Sequence, residues 1–165
     1  MTIRSAKIAL LAAVALFYSL VVFNNTTDFD SNYQFVRHVL MMDSTFPGNK
    51  GMWRAIPEVW VHKAFYFSII GWEILTTVLC WWGAIGLLRK LRSPAAEFEA
   101  AKRVPVIALT LSMLMWLVAF LSVGAEWFLM WQSKTWNGQE AAFRMFVTVG
   151  VVLLLMVQPE REGAA

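Results

Sequence analysis

Glu73 is the residue with the most chemistry open to it. It stands near the middle of residues 62–88, HKAFYFSIIGWEILTTVLCWWGAIGLL, where the other charge is Lys63 at the edge. Counted from the outer end of that stretch it lies about 11 residues in, roughly 16 Å along a helix. In a hydrocarbon core about 30 Å thick, that is close to the midplane. An ionised carboxylate there costs at least ~2.5 kcal/mol, so Glu73 is expected to be neutral unless it is paired or a cation reaches it. Tyr66, Glu73, Thr77 and Cys80 share one helical face at i, i+7, i+11 and i+14. Two readings follow: a proton-carrying or cation-binding acid in a helix bundle, or a protonated acid hydrogen-bonded to a serine or tyrosine of a neighbouring helix.

Two further groups carry polar chemistry. Glu126 and Arg144 lie at similar depths in apolar stretches joined by a short loop. Such stretches are antiparallel neighbours, so the pair is expected to meet, either as a salt bridge that fixes helix register or as a ligand-carboxylate site built on Arg144. Arg37, His38, Asp43 and His62 form a candidate site on the outer face. Haem or metal ligation requires several ligands to converge. His38 and His62 are the two histidines, and Met41 and Met42 beside His38 would suit Cu(I). The plainer reading is two hydrogen-bonded structural histidines. No cofactor and no metal site is therefore expected, with haem and copper as alternatives.

These side chains need elements to hold them. The chain has 165 residues, 59% hydrophobic and 15% charged. Soluble domains lie near 45–50% apolar. The excess is gathered into four blocks, about residues 6–23, 62–88, 105–131 and 140–158. Each is long enough to cross a bilayer as a helix. The expected fold is all-α: a single integral membrane domain, a four-helix transmembrane bundle. The first block follows Arg4 and Lys7 and could pass for a signal peptide, but it ends in Val21, Val22 and Phe23 with no small-x-small site after it, so it reads as an uncleaved span. Ser5, Ala12, Ala15 and Ser19 mark a small-residue stripe for close helix approach. In the third block Ala108, Ser112, Met115, Ala119, Ser122 and Glu126 recur at 4-3-4-3-4 spacing, which predicts an inward face.

The connection 24–61 is more than a loop. Asn24, Asn25, Thr26, Thr27 and Asp28 have turn and N-cap chemistry. Residues 32–42, NYQFVRHVLMM, place Phe35, Val39 and Met42 on one face, which predicts a short amphipathic helix in this first extracytoplasmic connection. Trp53, Trp60, Trp127, Trp131 and Trp136 are placed for an interfacial aromatic belt, and Trp81 and Trp82 lie deeper.

Net charge is +3, but the basic residues flank the apolar blocks, where they set orientation, so nucleic acid is not an expected partner. Arg4, Lys7, Arg89, Lys90, Arg92, Lys102, Arg103 and Arg161 fall on one side, against Arg37, Lys50, Arg54, Lys63 and Lys134 on the other. The positive-inside rule predicts a multi-pass protein of the cell inner membrane with both termini cytoplasmic. The one cysteine, Cys80, has no partner for a disulfide or a zinc site.

The run Asn32-Tyr33-Gln34-Phe35-Val36-Arg37-His38-Val39-Leu40-Met41-Met42-Asp43, followed by Trp53-Arg54-Ala55-Ile56 and Glu73, resembles the DUF2165 family of predicted small integral membrane proteins. The resemblance extends over essentially the whole chain. It implies the four-span topology and brings no activity, cofactor or catalytic residue with it.

No Walker, GxGxxG, HExxH or GxSxG motif is present, so the chain is expected not to be an enzyme. The expected role is an accessory protein or subunit of a membrane complex, with the bilayer and a membrane protein or a second copy as partners. A proton-coupled transporter using Glu73 and a haem or quinone redox subunit using His38 and His62 are the alternatives. No broken-helix pair or inverted repeat speaks for the transporter.

Overall fold

The structure is a computed structural model that describes residues 2–160; Arg161, counted above among the basic flanks, lies outside the described residues. Six helices and no strand are found among those residues. α1 (Thr2–Thr27) and α3 (Val59–Arg89) are the first two long helices. α5 (Arg103–Leu114) continues in π-helical form over Met115–Trp127, and α6 (Gln139–Met156) is the fourth. With the short α4 (Ala95–Ala101) leading into α5, these make four helices long and apolar enough to cross a membrane. α2 (Phe29–Met41) is the amphipathic helix of the first connection. The protein is thus an all-α transmembrane four-helix bundle, as its composition demands: in lipid a helix satisfies its own backbone.

The bundle closes as a ring. α1 packs along α3, α3 on α5, α5 and its π segment on α6, and α6 returns to α1. Leu11, Ala15, Tyr18, Cys80, Leu87, Leu109, Val149 and Met156 fill one half of its core. α2 lies across the other half, and its Tyr33, Val36, Val39 and Leu40 pack with Tyr66, Ile70, Ala125 and Met130. Residues that face away from the bundle, such as Val78, Trp82 and Leu88 of α3 and Val151 and Leu154 of α6, are apolar and exposed, the surface that lipid covers. α3 and α5 approach closely at Gly83, where an added Cβ would stand 2.9 to 3.1 Å from the ring and backbone nitrogen of Pro105.

Local chemistry moves several boundaries. Residues 24–28 do not form a turn. Thr26 and Thr27 hydroxyls donate back to the carbonyls of Val22 and Phe23 at 2.7 Å, and α1 stays helical through Thr27. Only Asp28 separates it from α2. The third membrane helix ends at Trp127, not 131, because Leu129 takes a left-handed conformation (φ 54°) and turns the chain into a short 3₁₀ turn, Met130–Gln132. The fourth runs Gln139–Met156, two residues short of the expected end.

The inward stripe of α5 also ends early. Ala108, Ser112 and Met115 are buried, whereas Ser122 and Glu126 are exposed and Gly124 and Ala125 face the core instead. The π segment is the reason. Its bonds reach five residues back, as in Phe128 N–H to Val123 O at 3.0 Å, so an α-helical period loses the face within two turns. In α1 the packed face is Lys7, Leu11, Val14, Ala15 and Tyr18, and Ser5 of the expected small-residue stripe points outward.

The end of the bundle near the N-terminus is tied by charge. Glu160 accepts from Lys7 Nζ at 2.6 Å, Lys102 Nζ at 2.8 Å and Arg4 Nε at 3.1 Å. Both lysines also donate to the Gln158 carbonyl at 2.7 Å. Burial pushes the Glu160 carboxyl up, but the hydrogen bonds from Lys102, Lys7 and Arg4 outweigh it and hold it at about 2.

Candidate functional site

At the other end of the ring the helices leave a cavity of about 330 Å³. α1 supplies Asn24 and Asn25 to its wall, α2 supplies Asn32, Phe35 and Val36, and α3 supplies Tyr66, Ile69 and Glu73. Trp116 and Phe120 of the π segment and Gly138 and Ala141 at the start of α6 complete it. All four membrane helices and α2 therefore contribute. Asn24, Asn32 and Ala141 are exposed and mark the mouth, whereas Glu73 is 4% exposed.

A chain of hydrogen bonds holds the acid in place. Asn25 Nδ2 donates to Glu73 Oε2 at 2.7 Å, and Asn32 Nδ2 donates to Asn25 Oδ1 at 2.6 Å. Tyr66 O–H reaches the Asn25 carbonyl at 3.5 Å. The extra helical turn of α1 makes this possible, since it carries Asn25 to the side of α3. Among the described residues Asn25 is the one donor to the Glu73 carboxyl, which leaves Oε1 to the cavity. The expected serine or tyrosine partner is thus replaced by an asparagine, whose amide N–H can donate to the acid whether or not the acid is ionised.

Beneath the acid the bundle is closed. Trp116 Nε1 donates to Tyr18 Oη at 2.8 Å, and Tyr18 shares a 2.6 Å hydrogen bond with Ser112. Tyr18 and Ser112 are fully buried. Trp116 of the π segment lines the cavity, and behind it Tyr18 of α1 and Ser112 of α5 close the bundle, with polar atoms that satisfy one another.

Glu73 lies level with the ends of two neighbouring helices. It sits midway along α3, fourteen positions from Val59 and sixteen from Arg89. Yet it faces the last turn of α1 and shares a cavity with the first turn of α6. The eighteen positions from Lys7 to Asn25 measure about 27 Å, close to the full hydrocarbon thickness. Glu73 therefore stands about that distance along the bundle from Lys7. The first turns of α3 run past the end of α1 and pack against α2.

The remaining sequence candidates divide. Thr77 does not face the cavity: its hydroxyl bonds the Glu73 backbone carbonyl at 2.7 Å, and Thr76 is the buried threonine of α3. Glu126 and Arg144 do not meet. Both are exposed, Arg144 lies 3.8 Å from Glu140 one turn back, and the Glu126 carbonyl receives Arg54. The π segment has rotated Glu126 off the face the heptad predicted. His38 pairs with Asp43 at 2.7 Å and stacks on Trp136, 4.6 Å between ring centres. Arg37 bonds Gln34 in its own helix. His62 is fully buried and held by the Ile56 carbonyl at 2.7 Å. The two histidines thus serve separate contacts, and no group of three or more His, Cys, Asp or Glu is placed to hold a metal among the described residues. Trp53 and Trp127 pack edge to face around Arg54, as an interfacial belt would.

Asn25, Asn32, Trp116 and Phe120 were not legible as site residues. The one available signal was the polar pair Asn24-Asn25 directly after an apolar run, and turn propensity accounted for it equally well. The family model described as "Predicted small integral membrane protein (DUF2165)" matches residues 3–159. No curated protein and no solved structure matches the chain.

Proposed function

The chain belongs to the DUF2165 family of predicted small integral membrane proteins, and on that footing we propose that it is a non-enzymatic accessory protein of a membrane complex that binds a small ligand from one side of the bilayer, in the cavity around Glu73. The observation that carries this reading is the cavity itself: a recess of about 330 Å³ with a buried carboxyl in its wall, open near α2 and backed by the Tyr18–Ser112–Trp116 layer. Its size falls at the lower end of small-molecule sites. The lysine and arginine distribution supports an inner-membrane protein with both termini cytoplasmic, so that the mouth faces outward.

A second reading, a small proton-coupled carrier, is favoured by the single acid in the wall, because one carboxyl can hold either a proton or a cationic substrate. The closed layer behind it counts against a continuous path in this conformation. Two measurements separate the readings. Solubilisation of native membranes in mild detergent and purification through a tag on this chain yields a stoichiometric membrane partner if the accessory reading holds. Proteoliposomes of the protein alone give proton-dependent flux, lost in Glu73→Gln, if the carrier reading holds. Recovery of the chain alone, with flux, refutes the accessory role.

A further inference from the structure

The cavity wall has one sign of charge. Glu73 is its single ionisable acid, and no lysine, arginine or histidine lines it. An anionic ligand would find no cation to meet it. A bare metal ion would find far too much space and too few ligands: hard cations take six or more oxygens at short range, and this wall offers one carboxyl and three asparagine side chains around about 330 Å³. The rest of the lining is aromatic and aliphatic. Phe35, Tyr66, Trp116 and Phe120 present rings to the same space as the carboxyl. Aromatic faces beside a carboxylate are the surroundings that recognise an organic ammonium, through ion pairing on one side and cation–π attraction on the others.

We propose that the cavity binds an organic monocation, an amine or quaternary ammonium with an apolar body, with the Glu73 carboxylate as its counter-ion. The head group sits at Oε1, the oxygen that Asn25 leaves free, and the apolar body lies among Phe35, Ile69 and Phe120. Asn25 keeps the carboxyl aimed inward by holding Oε2, and Asn32 fixes Asn25 in turn. The proposal deepens the ligand-binding reading above and rests on it. Proton and cation compete for one carboxylate: where the empty site holds a proton, binding sends that proton to solvent and leaves an ion pair. The titratable groups around Glu73 are Tyr18 of α1 and Tyr66 of α3, with Cys80 two turns along α3 and Asp28 near Tyr66 at the α1–α2 junction. The tyrosines and the cysteine carry no charge at neutral pH, and Asp28, the one other carboxylate among them, is exposed and lies outside the cavity wall. The cation therefore binds more weakly as the pH falls.

The probe is benzyltrimethylammonium, permanently charged and unable to carry a proton of its own. It is titrated calorimetrically into the full chain in nanodiscs, at mildly alkaline and mildly acidic pH, in buffers of different ionisation heat so that released protons are counted. Its uncharged isostere, neopentylbenzene, is the control. The expected result is binding of the ammonium that weakens in acid, and a loss of roughly 10- to 100-fold in Glu73→Gln, the worth of one hydrogen-bonded charge contact. Ala141→Trp keeps the carboxyl but fills the mouth, and is expected to abolish binding, which covers the case of a Glu73→Gln chain that folds poorly. Equal binding of the isostere, full affinity in either variant, or no binding of the ammonium overturns the proposal. Failure of the ammonium with a stoichiometric partner still captured removes this ligand class alone and leaves the accessory role standing. Ammonium binding by a chain that purifies without a partner does the reverse.

Discussion

Substitution of Glu160 by glutamine tests whether charge ties the N-terminal end of the bundle together. The carboxylate is 7% exposed and meets Lys7 and Lys102, whose side chains are 1% and 4% exposed, and also Arg4. Its hold on the charged form is set by the displacement from 4.5 to about 2, worth roughly 3 kcal/mol. Water and headgroups at the bundle end screen part of this, which leaves about 2 kcal/mol. Glutamine still accepts hydrogen bonds but leaves Lys7 without its anion and Lys102 with Glu99 alone, at 2.8 Å, and removing one member of a buried ion cluster strands its partner. The assay is unfolding of the detergent-solubilised protein by a denaturing detergent, followed by helical circular dichroism. At neutral pH the Glu160→Gln chain is expected to be less stable by about 2 kcal/mol. The folded carboxyl lies below its ordinary value, so its contribution is complete above 4.5 and disappears as the pH falls toward 2. The gap between the two chains must close across that window. Equal stability at neutral pH, or a gap that persists to the acid end, refutes the reasoning.

Three other outcomes follow from the geometry. Gly83→Ala places a Cβ against the ring and backbone nitrogen of Pro105, and is expected to cost about 1–3 kcal/mol in the same unfolding assay as α3 and α5 are forced apart. Trp116→Phe removes the donor to Tyr18, a loss of about 1 kcal/mol, and a double-mutant cycle with Tyr18→Phe should show coupling of the two. Glu126→Ala and Arg144→Ala, two exposed residues without mutual contact, should each change stability by no more than about 0.5 kcal/mol and should add in the double variant; measured coupling between them would restore the salt bridge that their sequence positions suggested.

The comparison of Glu73 with Glu126 shows where sequence reasoning succeeds and where it stops. Both acids were placed on a face by helical spacing. For Glu73 the spacing holds, since α3 is an unbroken α-helix and Tyr66, Glu73 and Cys80 are all buried along it. For Glu126 the spacing fails, because the helix changes to i→i+5 bonding at Met115 and nothing in the residue types announces it. Asn25 makes the same point from the other side. Its turn propensity was visible, but the hydroxyls of Thr26 and Thr27 bond back into α1 and keep the asparagine helical, within 2.7 Å of the acid it serves.

The sequence by itself determined the solvent and the fold class. Four apolar blocks must hide backbone polarity from lipid, a one-dimensional requirement that composition and length alone express, and the amphipathic α2 follows from periodicity in the same way. Only the tertiary structure decided which asparagine meets Glu73, at what height along the bundle the acid lies, and that five helices leave a cavity with a single charge in its wall. Those facts depend on the relative height and rotation of helices distant in the chain. Such offsets are fixed by side-chain packing at points like Gly83 against Pro105 and by the ion cluster at Glu160, contacts between residues whose spacing in sequence carries no signal of their meeting.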